Sequence, residues 1–168
     1  AEEGSKAAGT QKTLAEIAKQ KAEGNGQTVT IAGVPFVGNG VEKSVVAKLQ
    51  ERSTALGGIQ SDFGELAAIR KRNAGNLTND TNDVATAKLL IAGLTDKLSN
   101  FYGGGAAGEA AAARTLESIP DPTDVAYRGD PVKQYAAASK QLENSLVEGV
   151  RGAGFSGGGP KTVSYTHL

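Results

Sequence analysis

The sequence predicts an all-α fold: a long antiparallel helical hairpin with flanking shorter helices and one short extended segment near residues 28–37. Three observations predict it. Val45, Leu49, Arg52, Leu56, Ile59, Phe63 and Leu66 recur at alternating spacings of four and three. Val84, Ala87, Ile91, Leu94, Leu98 and Phe101 repeat the pattern. Apart from Arg52, the one polar member, each set is the apolar stripe of a helix packed against another helix. Between them, residues 76–83 form a polar loop of Asn, Asp and Thr, and long helices joined by a short loop pack most simply as an antiparallel pair.

Composition sets the scale of the core. At 168 residues one domain is the default. Alanine supplies much of the apolar fraction and tryptophan is absent, which favours thin helix–helix seams over a deep core. Formal charge is zero, so no bulk attraction toward nucleic acid or membrane is implied. Without cysteine there is no disulfide, thiolate metal site or cysteine nucleophile. No apolar run approaches the ~20 residues of a membrane span, and no signal-peptide pattern is visible.

Along the chain, residues 1–26 predict an N-terminal helix, rich in Ala, Lys, Gln and Glu between Lys6 and Glu23. Its apolar face is thin, mainly Leu14 and Ile17. Residues 27–40 predict an extended connector. Thr28-Val29-Thr30-Ile31 is β-branched throughout, and Gly33, Pro35 and Gly38 punctuate the stretch after it, giving a short extended segment or a small hairpin. The favoured reading lays Val34, Phe36 and Val37 onto a helical core; the other is an edge strand that pairs with another chain.

Residues 41–150 predict the helical domain. The first long helix covers about 41–72 and runs through Gly57-Gly58, because the apolar phase is kept across them although each glycine costs roughly 1 kcal/mol in a helix. Arg70, Lys71 and Arg72 suit its negative C-terminal end. The second covers about 83–102, capped by the polar loop, and Gly103-Gly104-Gly105 ends it. A short helix comes next at 107–118. The turn Pro120-Asp121-Pro122-Thr123-Asp124 stops it. Asp130-Pro131 starts a closing helix over 131–150, faced by Val132, Tyr135, Leu142, Leu146 and Val150. Residues 151–168 predict a flexible tail. Its last six, Val163-Ser164-Tyr165-Thr166-His167-Leu168, resemble a translated sequencing adapter, so the lone histidine is assigned no role. That end, and a start without methionine, are expected of a fragment from an environmental assembly.

Chemical motifs are weak beside this pattern. Gly103-Gly104-Gly105-Ala106-Ala107-Gly108 is a literal G-x-G-x-x-G, but a nucleotide site needs a preceding strand; a helical elbow is the better account. Arg70-Lys71-Arg72 could touch phosphates, yet no aromatics are interleaved for stacking; a solvated helix end is favoured over DNA contact. Asn79-Asp80-Thr81-Asn82-Asp83 has a calcium loop's composition without its glycine or distal glutamate; helix capping is favoured. Arg128-Gly129-Asp130 matches an adhesion tripeptide, but Asp130 already has a capping role. Glu65, Glu109 and Glu117 converge with no nucleophile or metal ligand by spacing. The expectation is therefore a non-enzymatic protein with no catalytic, cofactor or metal site and no small-molecule ligand. Its working residues are the packing seam: Val45, Leu49, Leu56, Ile59, Phe63, Leu66, Val84, Ile91, Leu94, Leu98 and Phe101.

Leu116-Glu117-Ser118-Ile119-Pro120-Asp121-Pro122-Thr123-Asp124, then Asp130-Pro131 and the helix over 134–146, resembles a C-terminal arrangement of internal or DNA-ejection proteins of tailed bacteriophages. The resemblance covers roughly 92–149. It implies a virion structural protein that packs against itself or other virion proteins, and carries over no catalytic residue. It does not explain residues 28–37. The alternative is a periplasmic or secreted helical adaptor; a third possibility is an enzyme fragment without its catalytic half.

Overall fold

The computed structural model describes residues 27–74 and 79–157. The helix expected within 1–26, part of the polar loop and the tail beyond 157 lie outside the described residues. Strands β1 (Gln27–Ile31) and β2 (Val34–Gly38) come first. Helices α1 (Lys43–Asn73), α2 (Thr81–Phe101), α3 (Gly105–Glu117) and α4 (Pro131–Gly152) come next, then strand β3 (Ser156–Gly157). The protein is largely helical but not all-α. A three-stranded antiparallel sheet in the order β1-β2-β3 corrects that expectation. The chain divides into two compact units, Ala1–Leu49 with Val147–Leu168, and Gln50–Leu146.

In the first unit the expected connector is a β-hairpin. Ala32 and Gly33 both take positive φ, 51° and 82°, the backbone of a tight two-residue turn whose twist matches that of its strands. Ile31 then pairs Val34, and Val29 pairs Phe36. Alternation results from the pleat: Val29, Ile31 and Phe36 are buried while Val37 is 46% exposed. Of Val34, Phe36 and Val37, only Phe36 therefore enters the core. Gln27 extends the pairing through its side chain. Its amide donates to the Val41 carbonyl at 2.6 Å and its amide oxygen accepts from the Val41 N–H at 2.8 Å.

Of the expected flexible tail, the described residues 151–157 are instead held in regular structure. Helix α4 ends in a Schellman motif: the Phe155 N–H reaches the Val150 carbonyl at 2.9 Å and the Gly154 N–H reaches Arg151. Gly154 supplies the left-handed φ of 110° that the motif requires. Val150 and Phe155, the apolar pair of that motif, are both buried. The chain then continues as β3, placing Gly157 opposite Phe36 and Ser156 opposite Val37.

In the second unit α1 contacts both α2 and α4. Contacts with α2 run antiparallel, from Arg52 near Phe101, through Asp62 with Lys97, to Arg72 with Asp83. Contacts with α4 also run antiparallel, from Gln60 with Glu143 to Phe63 with Tyr135. Helix α1 is continuous through Gly57 and Gly58. Helix α2 ends in a second Schellman motif, with Gly104 N–H on the Ser99 carbonyl at 2.7 Å and Gly103 N–H on Asn100. Gly103, Gly104 and Gly105 all have positive φ, and the chain reverses there into α3. Gly108 lies so close to α2 that a Cβ would sit 2.9 Å from the Ser99 carbonyl oxygen.

Candidate functional site

Leu56, Ile59, Phe63 and Leu66 of α1 and Leu94, Leu98 and Phe101 of α2 are buried in the second unit. Ala87 joins them with no exposure. Val84 and Ile91 lie at its margin and are half-buried. Leu49 is buried in the unit that holds the sheet. Val45 is a correction: it is 37% exposed and Val46 is buried instead. The α1–α2 seam ends at Arg52, where the last residue of α2 is met. Upstream, the first turns of α1 bury Val46 and Leu49. Ile69, Asn73 and Tyr135 are buried in the second unit as well; of these, only Tyr135 lies on an expected apolar face.

Polar side chains drawn toward this interior join one helix to another. Arg52 Nε donates to the Phe101 carbonyl at 2.7 Å, and its guanidinium carbon lies 4.8 Å from the Phe101 ring centroid. Burial lowers the Arg52 pKa, and nearby Tyr102 opposes that shift. Asp62 accepts from Lys97 at 2.7 Å. Gln60 donates to Ser139 and Glu143, which explains the small polar residue on the apolar face of α4. Tyr135 stacks on Phe63 at 6.0 Å and donates to the Pro120 carbonyl at 2.6 Å. Burial, then nearby Asp121, pushes its phenol pKa well up.

At the loop end of the unit, side chains of α1, of α4 and of the loop before α2 hold the Pro-Asp turn. The carbonyls of Pro120, Pro122 and Thr123 accept from Tyr135, Arg70 and Asn79 respectively. The Asp121 carboxylate accepts from the Thr123 N–H and hydroxyl, fixing the turn from within. Beside it, Asn73 donates to the Ile69 carbonyl and to Asp83, and accepts from the Asp80 N–H. Asp80 caps α2 through the N–H groups of Asn82 and Asp83, as the expected polar cap. Arg72 pairs with Asp83 at 2.8 Å. The basic cluster is therefore divided: Arg70 holds the Pro-Asp turn, Arg72 holds Asp83, and Lys71 is exposed. Hydrogen bonds from Arg72 and then Asn73 keep the Asp83 carboxyl below the usual carboxylate range.

A half-open groove of about 350 Å³ is lined by Tyr102, residues of α3 and residues of α4. Ala111, Ala138 and Leu142 give it apolar surface, with Arg114, Thr115, Ser118, Gln141 and Ser145 among its polar lining. Several of its polar hydrogens are committed. Thr115 donates to the Ala111 carbonyl, so the Tyr102 hydroxyl must donate to Thr115 across 2.7 Å. Ser118 donates to the Thr115 carbonyl. Sequence periodicity did not signal this groove, because its lining comes from separate helices and matches no motif.

Among the described residues no group of three His, Asp or Glu side chains is placed to hold a metal. None of their helices is long and apolar enough to cross a membrane. The Gly103–Gly108 segment joins two helices and so lacks the strand that a dinucleotide fingerprint requires. No protein family, curated protein or solved structure matches the chain.

Proposed function

We propose that this protein is a non-enzymatic structural or assembly component acting through helix packing, and that it serves in a tailed-phage virion as an internal or DNA-ejection protein. The observation that carries the structural reading is the use of its inward polar groups. Arg52, Gln60, Asp62, Asn73 and Tyr135 each tie one element to another. Among the described residues no buried side-chain polar atom lacks a partner. Such an arrangement stiffens a scaffold. The virion reading rests on the likeness of residues 92–149 to phage internal proteins.

The partner is a second copy or another virion protein, met through the outward face of α2. Leu89 is 74% exposed there. It stands two residues from fully buried Ala87, hence on the opposite side of the helix. Light scattering after size exclusion, over a range of concentrations, tests self-association. Concentration-dependent association, lost in Leu89→Lys at unchanged helicity, is expected. A monomer at every concentration would remove the second copy as partner. Co-sedimentation with purified phage particles then tests the virion protein.

A further inference from the structure

We propose that the groove between α3 and α4 is a binding site for a small amphiphilic anion, a carboxylate on a short apolar body. This is independent of the structural role proposed above. The argument is a hydrogen-bond balance. The hydroxyl hydrogens of Tyr102, Thr115 and Ser118 are already directed to protein acceptors. Among the described residues, the Arg114 guanidinium, the Gln141 amide and the Ser145 hydroxyl have no partner. Gln141 and Ser145 can donate or accept, so the one fixed preference is set by Arg114, a cation that only donates, and no carboxylate lines the groove. Arg114 presents a planar set of N–H groups that matches a carboxylate two bonds at a time. Leu142 and Ala138 are buried, and their groove-facing surface suits an apolar body. At about 350 Å³ the space lies at the small end of ligand pockets, which run from roughly 300 to 1,000 Å³. It suits a compact ligand rather than a nucleotide or a helix.

Isotope-labelled full-length protein titrated with hexanoate, and separately with hexan-1-ol, tests the site by amide chemical shifts. Saturable shifts are expected at Ala111, Thr115, Ala138 and Leu142. Binding should weaken about tenfold with hexan-1-ol or in Arg114→Gln, the order of one charge-assisted hydrogen bond. Arg114 is exposed, so the variant keeps the fold, which its own spectrum verifies. Ser145→Asp, which sets a carboxylate in the groove, should abolish binding. The proposal is overturned if hexanoate shifts do not saturate, if they map elsewhere, or if hexan-1-ol or Arg114→Gln binds equally well.

Discussion

Arg52 is joined to Phe101 twice, by a 2.7 Å hydrogen bond to its carbonyl and by a guanidinium 4.8 Å from its ring centroid. The bond serves a carbonyl in the last turn of α2, where no later helical N–H is available. The contact suits arginine: a lysine ammonium lacks the flat face for stacking. Arg52→Lys should therefore destabilise although it keeps the charge. A loss of about 1–3 kcal/mol is expected for a hydrogen bond from a charged donor. Urea unfolding monitored by circular dichroism reads it. Equal midpoints for Arg52→Lys and the parent would mean that charge alone matters at this position.

The glycines separate into two groups with opposite expected signs. At Gly57 a Cβ would meet nothing within 4 Å, and at Gly58 it would make ordinary contact with the Lys97 side chain. Alanine at either position should stabilise α1 by about 0.4–1 kcal/mol, largely by restricting the unfolded chain. At Gly108 the added carbon would lie 2.9 Å from the Ser99 carbonyl oxygen, which belongs to helix backbone and cannot swing away. Gly108→Ala should lower the melting temperature. Gly104→Ala should do so for another reason, since φ 76° with ψ −173° is a conformation only glycine holds readily. Four melting curves decide the matter.

The carboxyl of Asp83 is held below its usual pKa first by Arg72 and then by Asn73. A carboxylate with a depressed folded-state pKa contributes stability above its unfolded pKa. That contribution is lost as pH falls through the lower, folded value. Relative to Asp83→Asn, the parent protein should thus keep its advantage at neutral pH and lose it on acidification below about pH 4, the unfolded aspartate value. Unfolding midpoints for the two proteins at stepped pH would converge in acid. A constant gap at every pH would assign the effect of Asp83 to neutral hydrogen bonding.

Helix positions were legible because burial repeats at the helical period. Leu56, Ile59, Phe63, Leu66, Leu94, Leu98 and Phe101 could be read from spacing and are all buried. Continuity through Gly57-Gly58 was legible for the same reason, since the phase did not break. The sheet was legible only as an extended stretch. Its third strand consists of two residues, Ser156 and Gly157, too short to leave a pattern, and its pairing spans the whole helical region of the sequence. Val45 and Val46 stand four and three residues before Leu49, so both fit the helical spacing, and only the structure distinguishes the covered Val46 from the exposed Val45. Asn73 stands just past the expected helix end at 72 with nothing in its spacing to mark it, yet three hydrogen bonds make it a junction. The groove was invisible because its lining comes from separate helices and matches no motif.

Gly38 of β2 lies directly against Phe155, in the segment beyond α4. A Cβ on Gly38 would lie 2.9 Å from two carbons of the Phe155 ring. That ring is buried, and Ser156 immediately after it is paired with Val37, so the side chain has little freedom to turn aside. Gly38→Ala should therefore cost about 1–3 kcal/mol by overpacking. Phe155→Leu removes ring atoms and should itself destabilise through lost contact. Together the two changes should cost less than their sum, because the smaller side chain leaves room for the new methyl group. A double-mutant cycle on thermal stability measures this coupling, expected at about 0.5–3 kcal/mol for residues in contact. Strict additivity would show that the ring yields to the methyl group without strain, and that Gly38 is not required for the closure of β2 on Phe155.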